Sequence, residues 1–252
     1  MTETRIFITG ASSGIGAALA EHYAARHAEG IHLGLVARRT GRLVELAERL
    51  REGGAVVETY SADVRDTESM SDICRSFDEA AGGVDLAIAN AGISLSEMPR
   101  EGDPAPAVEV VDTNLRGVLN TLLPLIPGMI SRKRGHLVAV GSVAGFRGLP
   151  GKGAYCGSKA AVKTLMDAYR PVLRPHGIRV TTVCPGWVES EMTANNPYRM
   201  PFMVDTPKAA GLIARSIERG RKTYVFPWQM RLAVALMKVI PDMALPNLES
   251  RK

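Results

Sequence analysis

Residues 5–16 read Arg-Ile-Phe-Ile-Thr-Gly-Ala-Ser-Ser-Gly-Ile-Gly. The apolar run reads as a strand, and Gly14–Ala28, free of proline, as the helix that follows. Gly10, Gly14 and Gly16 fall at the turn between them. Glycine tolerates unusual backbone angles there, and its missing side chain lets the main chain approach a pyrophosphate. The helix N-terminus beyond offers free N–H groups and the positive end of a dipole. The spacing is G-x-x-x-G-x-G rather than G-x-G-x-x-G, and a tight strand–helix turn would by itself call for such glycines. Placement directly after the first strand favours a dinucleotide cradle.

Outward from that turn, strand and helix patterns alternate. Strands are expected at Arg5–Thr9, Ile31–Ala37, Ala55–Ser61, Asp85–Ala89, His136–Val140, Ile178–Cys184 and Thr223–Phe226. Helices are expected at Arg42–Arg51, from an N-cap at Thr67 to about Ala80, near Ala107–Ser131 and near Ala154–Arg174. Thr206-Pro207 opens another, with proline at the tolerated first position, and Gly220 closes it. The alternation predicts an α/β, doubly wound Rossmann fold: a seven-stranded, mostly parallel sheet with helices on both faces. Several strands are nearly all apolar, as burial on both faces requires. With no repeat or linker, residues 1–252 are read as one domain, with a variable loop at about 187–205 and an apolar C-terminal segment at about 228–252.

Of 252 residues, 46% are hydrophobic and 23% charged, which is globular composition. The net charge of +5 is spread along the chain. Its two clusters are Arg38-Arg39 and Arg132-Lys133-Arg134, the latter read as solvated surface at a helix end. Scattered charge argues against a nucleic-acid partner. Three cysteines, Cys74, Cys156 and Cys184, make no disulfide framework, suit a reducing compartment and are read as apolar packing. Neither they nor the five histidines show metal-ligand spacing, so no metal is expected. The first apolar segment is too short for a signal peptide, and no stretch reaches the length of a membrane span.

The second strand ends Leu35-Val36-Ala37-Arg38-Arg39. An acid near here would read the ribose 2′-hydroxyl of NAD, whereas an arginine accommodates the 2′-phosphate of NADP. Arg38 therefore points to NADP(H) as the preferred cofactor, with NAD(H) the alternative. A plainer reading makes Arg38 and Arg39 surface charges at a helix start.

Residues 155–159 read Tyr-Cys-Gly-Ser-Lys, and Gly141-Ser142 precedes the tyrosine by 13 positions. Carbonyl reduction needs a hydride at carbon and a proton at oxygen. A phenol with a reference pKa of about 10 is a poor proton-transfer group. A nearby cation lowers that value, and residues four apart on a helix share a face, so Lys159 is expected beside Tyr155. The positive charge of an oxidised nicotinamide would act in the same direction. Ser142 can orient the substrate oxygen. In isolation, Tyr-x-x-x-Lys would be an ordinary surface pair; with the cradle and Ser142 it is not.

Taken in order, these residues resemble the classical short-chain dehydrogenase/reductase family from about Arg5 to Thr193. Thr9–Gly16 is similar to its T-G-x-x-x-G-x-G element, and Asn90-Ala91-Gly92 to most of its N-N-A-G element, with Ala89 replacing the first Asn. Asn114, Ser142, Tyr155 and Lys159 resemble its catalytic tetrad, and Pro185-Gly186 the element after the sixth strand. Ser13 stands where many NADP-using members carry a basic residue. The resemblance implies cofactor contacts at Gly10, Ser12, Ser13, Gly14, Ile15, Gly16, Arg38, Asp63, Val64, Asn90, Ala91, Gly92, Tyr155, Lys159, Pro185, Gly186, Val188 and Ser190. It also implies that Lys159 binds the nicotinamide ribose and that Asn114 holds a water feeding protons toward Lys159. A homodimer or homotetramer packed through the two long helices is implied as well.

The segment 187–205 contains Trp187, Met192, Tyr198, Met200, Phe202 and Met203, which make adaptable apolar walls. Trp187 and Met192, with Ser142, Phe146 and Leu149, are the expected substrate contacts. The substrate is therefore expected to be an apolar ketone or aldehyde, or the corresponding alcohol. Trp228–Ile240 lies between Pro227 and Pro241 and carries Arg231 and Lys238 on roughly one face. It is read either as a helix at a subunit interface or substrate mouth, or as a peripheral membrane contact through 228–240. The expectation is a cytoplasmic NADPH-dependent carbonyl reductase. The alternatives are an NAD-dependent secondary-alcohol dehydrogenase and a non-catalytic cofactor-sensing or lipid-binding protein.

Overall fold

The computed structural model describes residues 4–27, 30–194 and 199–237. Seven strands form one sheet: β1 (Thr4–Thr9), β2 (Ile31–Ala37), β3 (Val56–Ser61), β4 (Leu86–Ala89), β5 (Gly135–Val140), β6 (Ile178–Pro185) and β7 (Thr223–Phe226). Their order is β3-β2-β1-β4-β5-β6-β7, and every pairing is parallel. The expected doubly wound sheet is thus present, and wholly rather than mostly parallel.

Side-chain alternation along the strands feeds two cores. Ile6 and Ile8 of β1, with Leu33 and Leu35 of β2, face α1 (Gly14–Arg26) and α2 (Thr40–Glu52). Phe7 and Val36 point the other way, toward Met70, Cys74 and Phe77 of α3 (Thr67–Ala80). Gly34 makes room for this second core: a Cβ there would lie 2.8 Å from the rings of Phe7 and Phe77.

After β4 come α4 (Ala105–Val111), a π-helical turn (Asp112–Arg116), α5 (Gly117–Leu122), a 3₁₀ turn (Leu123–Leu125) and α6 (Ile126–Arg132). The sequence predicts one helix over most of this span. Pro124 and Pro127 lack the N–H that regular helix needs, which accounts for the second break. The first break puts Asn114 in a π turn, a geometry that side-chain periodicity does not reveal. Next come α7 (Gly153–Leu173), the single turn α8 (Glu191–Ala194), α9 (Thr206–Glu218) and α10 (Trp228–Met237). Ala209, Ala210, Ile213 and Ile217 of α9 complete the first core; Val162 and Met166 of α7 join the second.

Two local expectations change. The N-cap of α3 is Asp66 rather than Thr67, its carboxylate accepting from the Ser69 N–H (3.1 Å) and hydroxyl (2.7 Å). The Arg132-Lys133-Arg134 run is not simply solvated. Arg132 grips Asp78 (Nη2–Oδ1 2.9 Å) and Arg134 pairs with Asp85 (3.0 Å), while Lys133 ends α6 in the left-handed region. Asp85 also takes Arg5 through two bonds, at 2.9 and 3.1 Å, which ties the starts of β1 and β4 together.

The chain leaves β1 toward β2 on one side and later returns to β4 on the other, so a crevice opens where the C-terminal ends of β1 and β4 diverge. Open α/β sheets bind ligands at such a switch point. Among the described residues no helix is long and apolar enough to cross a membrane. Ala28, Tyr198 and residues 238–252, Lys238 included, lie outside the described residues.

Candidate active site

The glycine turn closes tightly on the end of β4. Gly10 has φ +70°, and a Cβ there would meet the Ala91 Cα at 2.8 Å. Gly14 has φ +54° and lies under Ser190; a Cβ on Gly16 would strike the Gly10 carbonyl and sit 2.6 Å from Asn90 Nδ2. The floor of this cradle is therefore backbone. Asn90 fastens it, its side-chain amide donating to Thr9 O (3.1 Å) and Gly10 O (3.2 Å). Ser13 at the start of α1 makes no side-chain cap, so an anion there would meet uncapped N–H groups. The donor set fits a dinucleotide pyrophosphate.

The two arginines after β2 part company. Arg38, with a side chain 54% exposed, turns toward Asp63 (3.7 Å). Asp63 is held mainly by Arg65, whose bonds of 2.7–3.0 Å keep its carboxyl below the usual range despite partial burial. Arg39, a surface charge on the plainer reading, reaches across the glycine turn. It donates to Ser12 Oγ (3.2 Å), Ser13 Oγ (2.5 Å) and Glu191 Oε2 (2.6 Å). Arg42 on α2 also donates to Glu191, and both guanidiniums hold that carboxyl below its ordinary value. The only hint of this in the sequence was the doubled arginine.

At the other end of the crevice, β5, the π turn and α7 converge. Ser142 follows β5, and its side chain hydrogen-bonds Tyr155 and accepts from the Ala144 N–H (3.1 Å). Lys159, 5% exposed, donates to Val140 O at 2.8 Å, and its Nζ lies 5.9 Å from the centroid of the Tyr155 ring. Asn114 is fully buried, accepting from Ile93 N (2.8 Å) and donating to Ile93 O (3.0 Å) and Ser158 Oγ (3.1 Å). One lone pair of Oδ1 is left for a water. Asn114 Oδ1 and Lys159 Nζ both flank Gly92, where a Cβ would lie 3.0 and 3.3 Å from them.

Burial sets the electrostatics. It is the largest influence on Tyr155 and raises its pKa, with the Ser142 hydrogen bond pulling the other way. That direction differs from the lowering expected from Lys159, which aims its ammonium at a carbonyl and is itself desolvated to a pKa of about 8. Cys74 and Cys184 are pushed up to about 12 by burial and stay as neutral thiols.

Other expected contacts play parts in packing. Val64 fills the space against Gly117, and its carbonyl accepts from Asn120 (2.9 Å). Ile15 packs against the first core. A Cβ on Gly186 would meet Met230 of α10 at 2.7 Å, and Pro185 pairs with Phe226 in the sheet. Val188 bridges to Val204, and Ser190 is anchored by Thr193 (3.0 Å). Of the expected substrate contacts, Phe146 ends the 3₁₀ turn after Ser142 and Trp187 bonds the Val204 N–H through its carbonyl. Leu149 and Met192 are exposed. Glu97, absent from the sequence expectations, accepts from the Ala154 N–H and so fixes the first turn of α7 one residue before Tyr155.

A family model described as short chain dehydrogenase matches residues 4–200. An uncharacterized oxidoreductase of Myxococcus xanthus is 39% identical over 242 residues, covering 96% of this chain and 94% of its own length. A short-chain dehydrogenase/reductase from Burkholderia phymatum, solved in complex with NAD, superposes with a TM-score of 0.84 at 25% identity, covering 93% of this chain and 92% of that one. A 3-ketoacyl-ACP reductase from Sinorhizobium meliloti gives 0.81 at 29% identity, covering 91% and 99%.

Proposed function

The chain belongs to the short-chain dehydrogenase family of oxidoreductases, and on that premise we propose that it is an NADPH-dependent reductase of apolar ketones or aldehydes. One observation carries this reading: Ser142, Tyr155 and Lys159 converge beside a backbone-floored anion cradle at the switch point of the sheet.

A bound nicotinamide would supply the hydride; everything else falls to the chain. Ser142 Oγ would hold the substrate oxygen, and the Tyr155 phenol would give that oxygen its proton, leaving the alcohol. The raised pKa keeps Tyr155 protonated at neutral pH. Lys159, charged below about pH 8, would stabilise the phenolate left behind, and Asn114 would hold the water that returns the proton. The Gly10–Gly16 cradle would carry the pyrophosphate.

Preference for NADPH rests on charge. Where many NADP-using relatives carry a basic residue at position 13, Arg39 brings its guanidinium to the Ser13 hydroxyl, with Arg38 and Arg42 nearby in the chain. An apolar substrate is supported by Leu149, Met192, Phe202 and Met203, all exposed. Val108 of α4 and Val172 of α7 are exposed on helices that pack together, which supports a homodimer or homotetramer through that face. The test is NADPH oxidation, followed at 340 nm, over a carbonyl series of increasing apolar length. Turnover that grows with chain length supports the reading, and turnover restricted to NADH or to charged carbonyls opposes it.

A further inference from the structure

Glu191 is the first residue of α8 and stands among positive groups. Its two oxygens go to different guanidiniums: Oε2 to Arg39 Nη1 at 2.6 Å and Oε1 to Arg42 Nη1. Arg39 meanwhile donates from Nε and Nη2 to Ser12 and Ser13 on the glycine turn. Two guanidiniums, from the N-cap and first turn of α2, thus hold one carboxylate carried in from a remote part of the chain, while two hydroxyls of the glycine turn hold Arg39. We propose that Glu191 is an internal competitor for the cofactor's 2′-phosphate, a specificity-determining residue that must be displaced when NADPH binds and need not be when NADH binds. The proposal rests on the NADPH reading above.

The argument is one of finite donors and like charge. Each N–H now given to Glu191 can serve one strong acceptor at a time. A phosphate monoester arriving at Arg39 and Arg42 either takes those N–H groups from the carboxylate or lies against it, and two anions at such a distance repel. The cost falls on the phosphate-bearing cofactor alone, because the 2′-hydroxyl of NADH brings no charge. Glu191 lies one residue after Ser190, which sits over Gly14. Displacing it therefore releases α8 from α2 as the cofactor seats, so the 2′-phosphate is sensed by the same segment that carries Met192.

Calorimetric titration of NADPH and NADH, at low ionic strength where exposed charges are least screened, tests this with wild type, Glu191→Gln and Arg39→Ala. Glu191→Gln should tighten NADPH by about three- to fivefold and leave NADH within twofold, the scale of one exposed ion pair. Arg39→Ala should weaken NADPH and spare NADH. Loss in Arg39→Ala with no gain in Glu191→Gln upholds the phosphate site and overturns the competitor. Unchanged NADPH affinity in Arg39→Ala takes Arg39 out of the phosphate site and overturns the competitor, whereas wild type binding NADH as tightly as NADPH overturns the NADPH reading itself. Equal tightening of both cofactors by Glu191→Gln also overturns the competitor, because the effect is then blind to the phosphate.

Discussion

Lys159 donates to the carbonyl of Val140 across 2.8 Å, from the middle of α7 to the end of β5, and among the described residues no carboxylate acts on it. A buried ammonium with a neutral acceptor is a cost to the fold, and its pKa falls from 10.5 to about 8 as a result.

The cost has a pH signature. Between pH 8 and 10.5 the unfolded chain holds this proton and the folded chain does not, so stability rises with pH through that window. Lys159→Met should match or exceed wild-type stability at pH 7. Its margin should shrink by about 3 kcal/mol as pH approaches 10.5, read by chemical denaturation at each pH. A margin that stays flat would mean that the lysine is solvated.

His136 sets the acid limb. Thr181 gives its hydroxyl hydrogen to Arg221 O, so it accepts from His136 Nε2 (2.8 Å), and the ring is the neutral Nε2–H tautomer. Burial lowers its pKa from 6.5 to about 3. Stability is therefore full above pH 6.5 and is lost as pH falls toward 3, by up to about 5 kcal/mol. His136→Leu should flatten that limb, checked by melting temperature between pH 7 and 4.

Gly16→Ala should fail in two ways. Its methyl group meets a backbone carbonyl that has no room to move, an overpacking cost of about 1–3 kcal/mol and a drop in Tm of several degrees. The cradle floor also shifts, so cofactor affinity should fall by about tenfold or more in a fluorescence titration. Gly41→Ala, on open surface in α2, is the matched control and should lose neither stability nor affinity.

The α4–α7 face should govern assembly. Val108→Arg with Val172→Arg places charge on both exposed sites, and light scattering should then report a smaller particle than wild type. An unchanged mass would place the subunit contact elsewhere.

The sheet was legible because apolar β-runs have sharp ends: β2 and β7 match their expected limits to the residue. The glycine turn was legible because few residue types survive φ of +54° to +70° against a neighbouring strand. Asn114 could be named from its resemblance but not placed, because a π turn has no side-chain period of its own. Arg39 escaped because a long side chain carries its charge far from its backbone, across a turn that is remote in sequence from Glu191. The choice of Thr67 over Asp66 failed because both are good caps and only geometry separates neighbours.

The most direct test of hydride transfer with Tyr155 as proton donor follows a deuterium label. NADPH carrying deuterium at nicotinamide C4, on each face in turn, is incubated with an apolar ketone and wild type or Tyr155→Phe, and the alcohol is weighed by mass spectrometry. The account predicts that one labelled face delivers a single deuterium to the carbinol carbon. It predicts at least a hundredfold slower transfer by Tyr155→Phe, on the order of a lost general acid, with NADPH affinity retained. Labelled alcohol at the wild-type rate from Tyr155→Phe, or alcohol formed without label from either face, would contradict it.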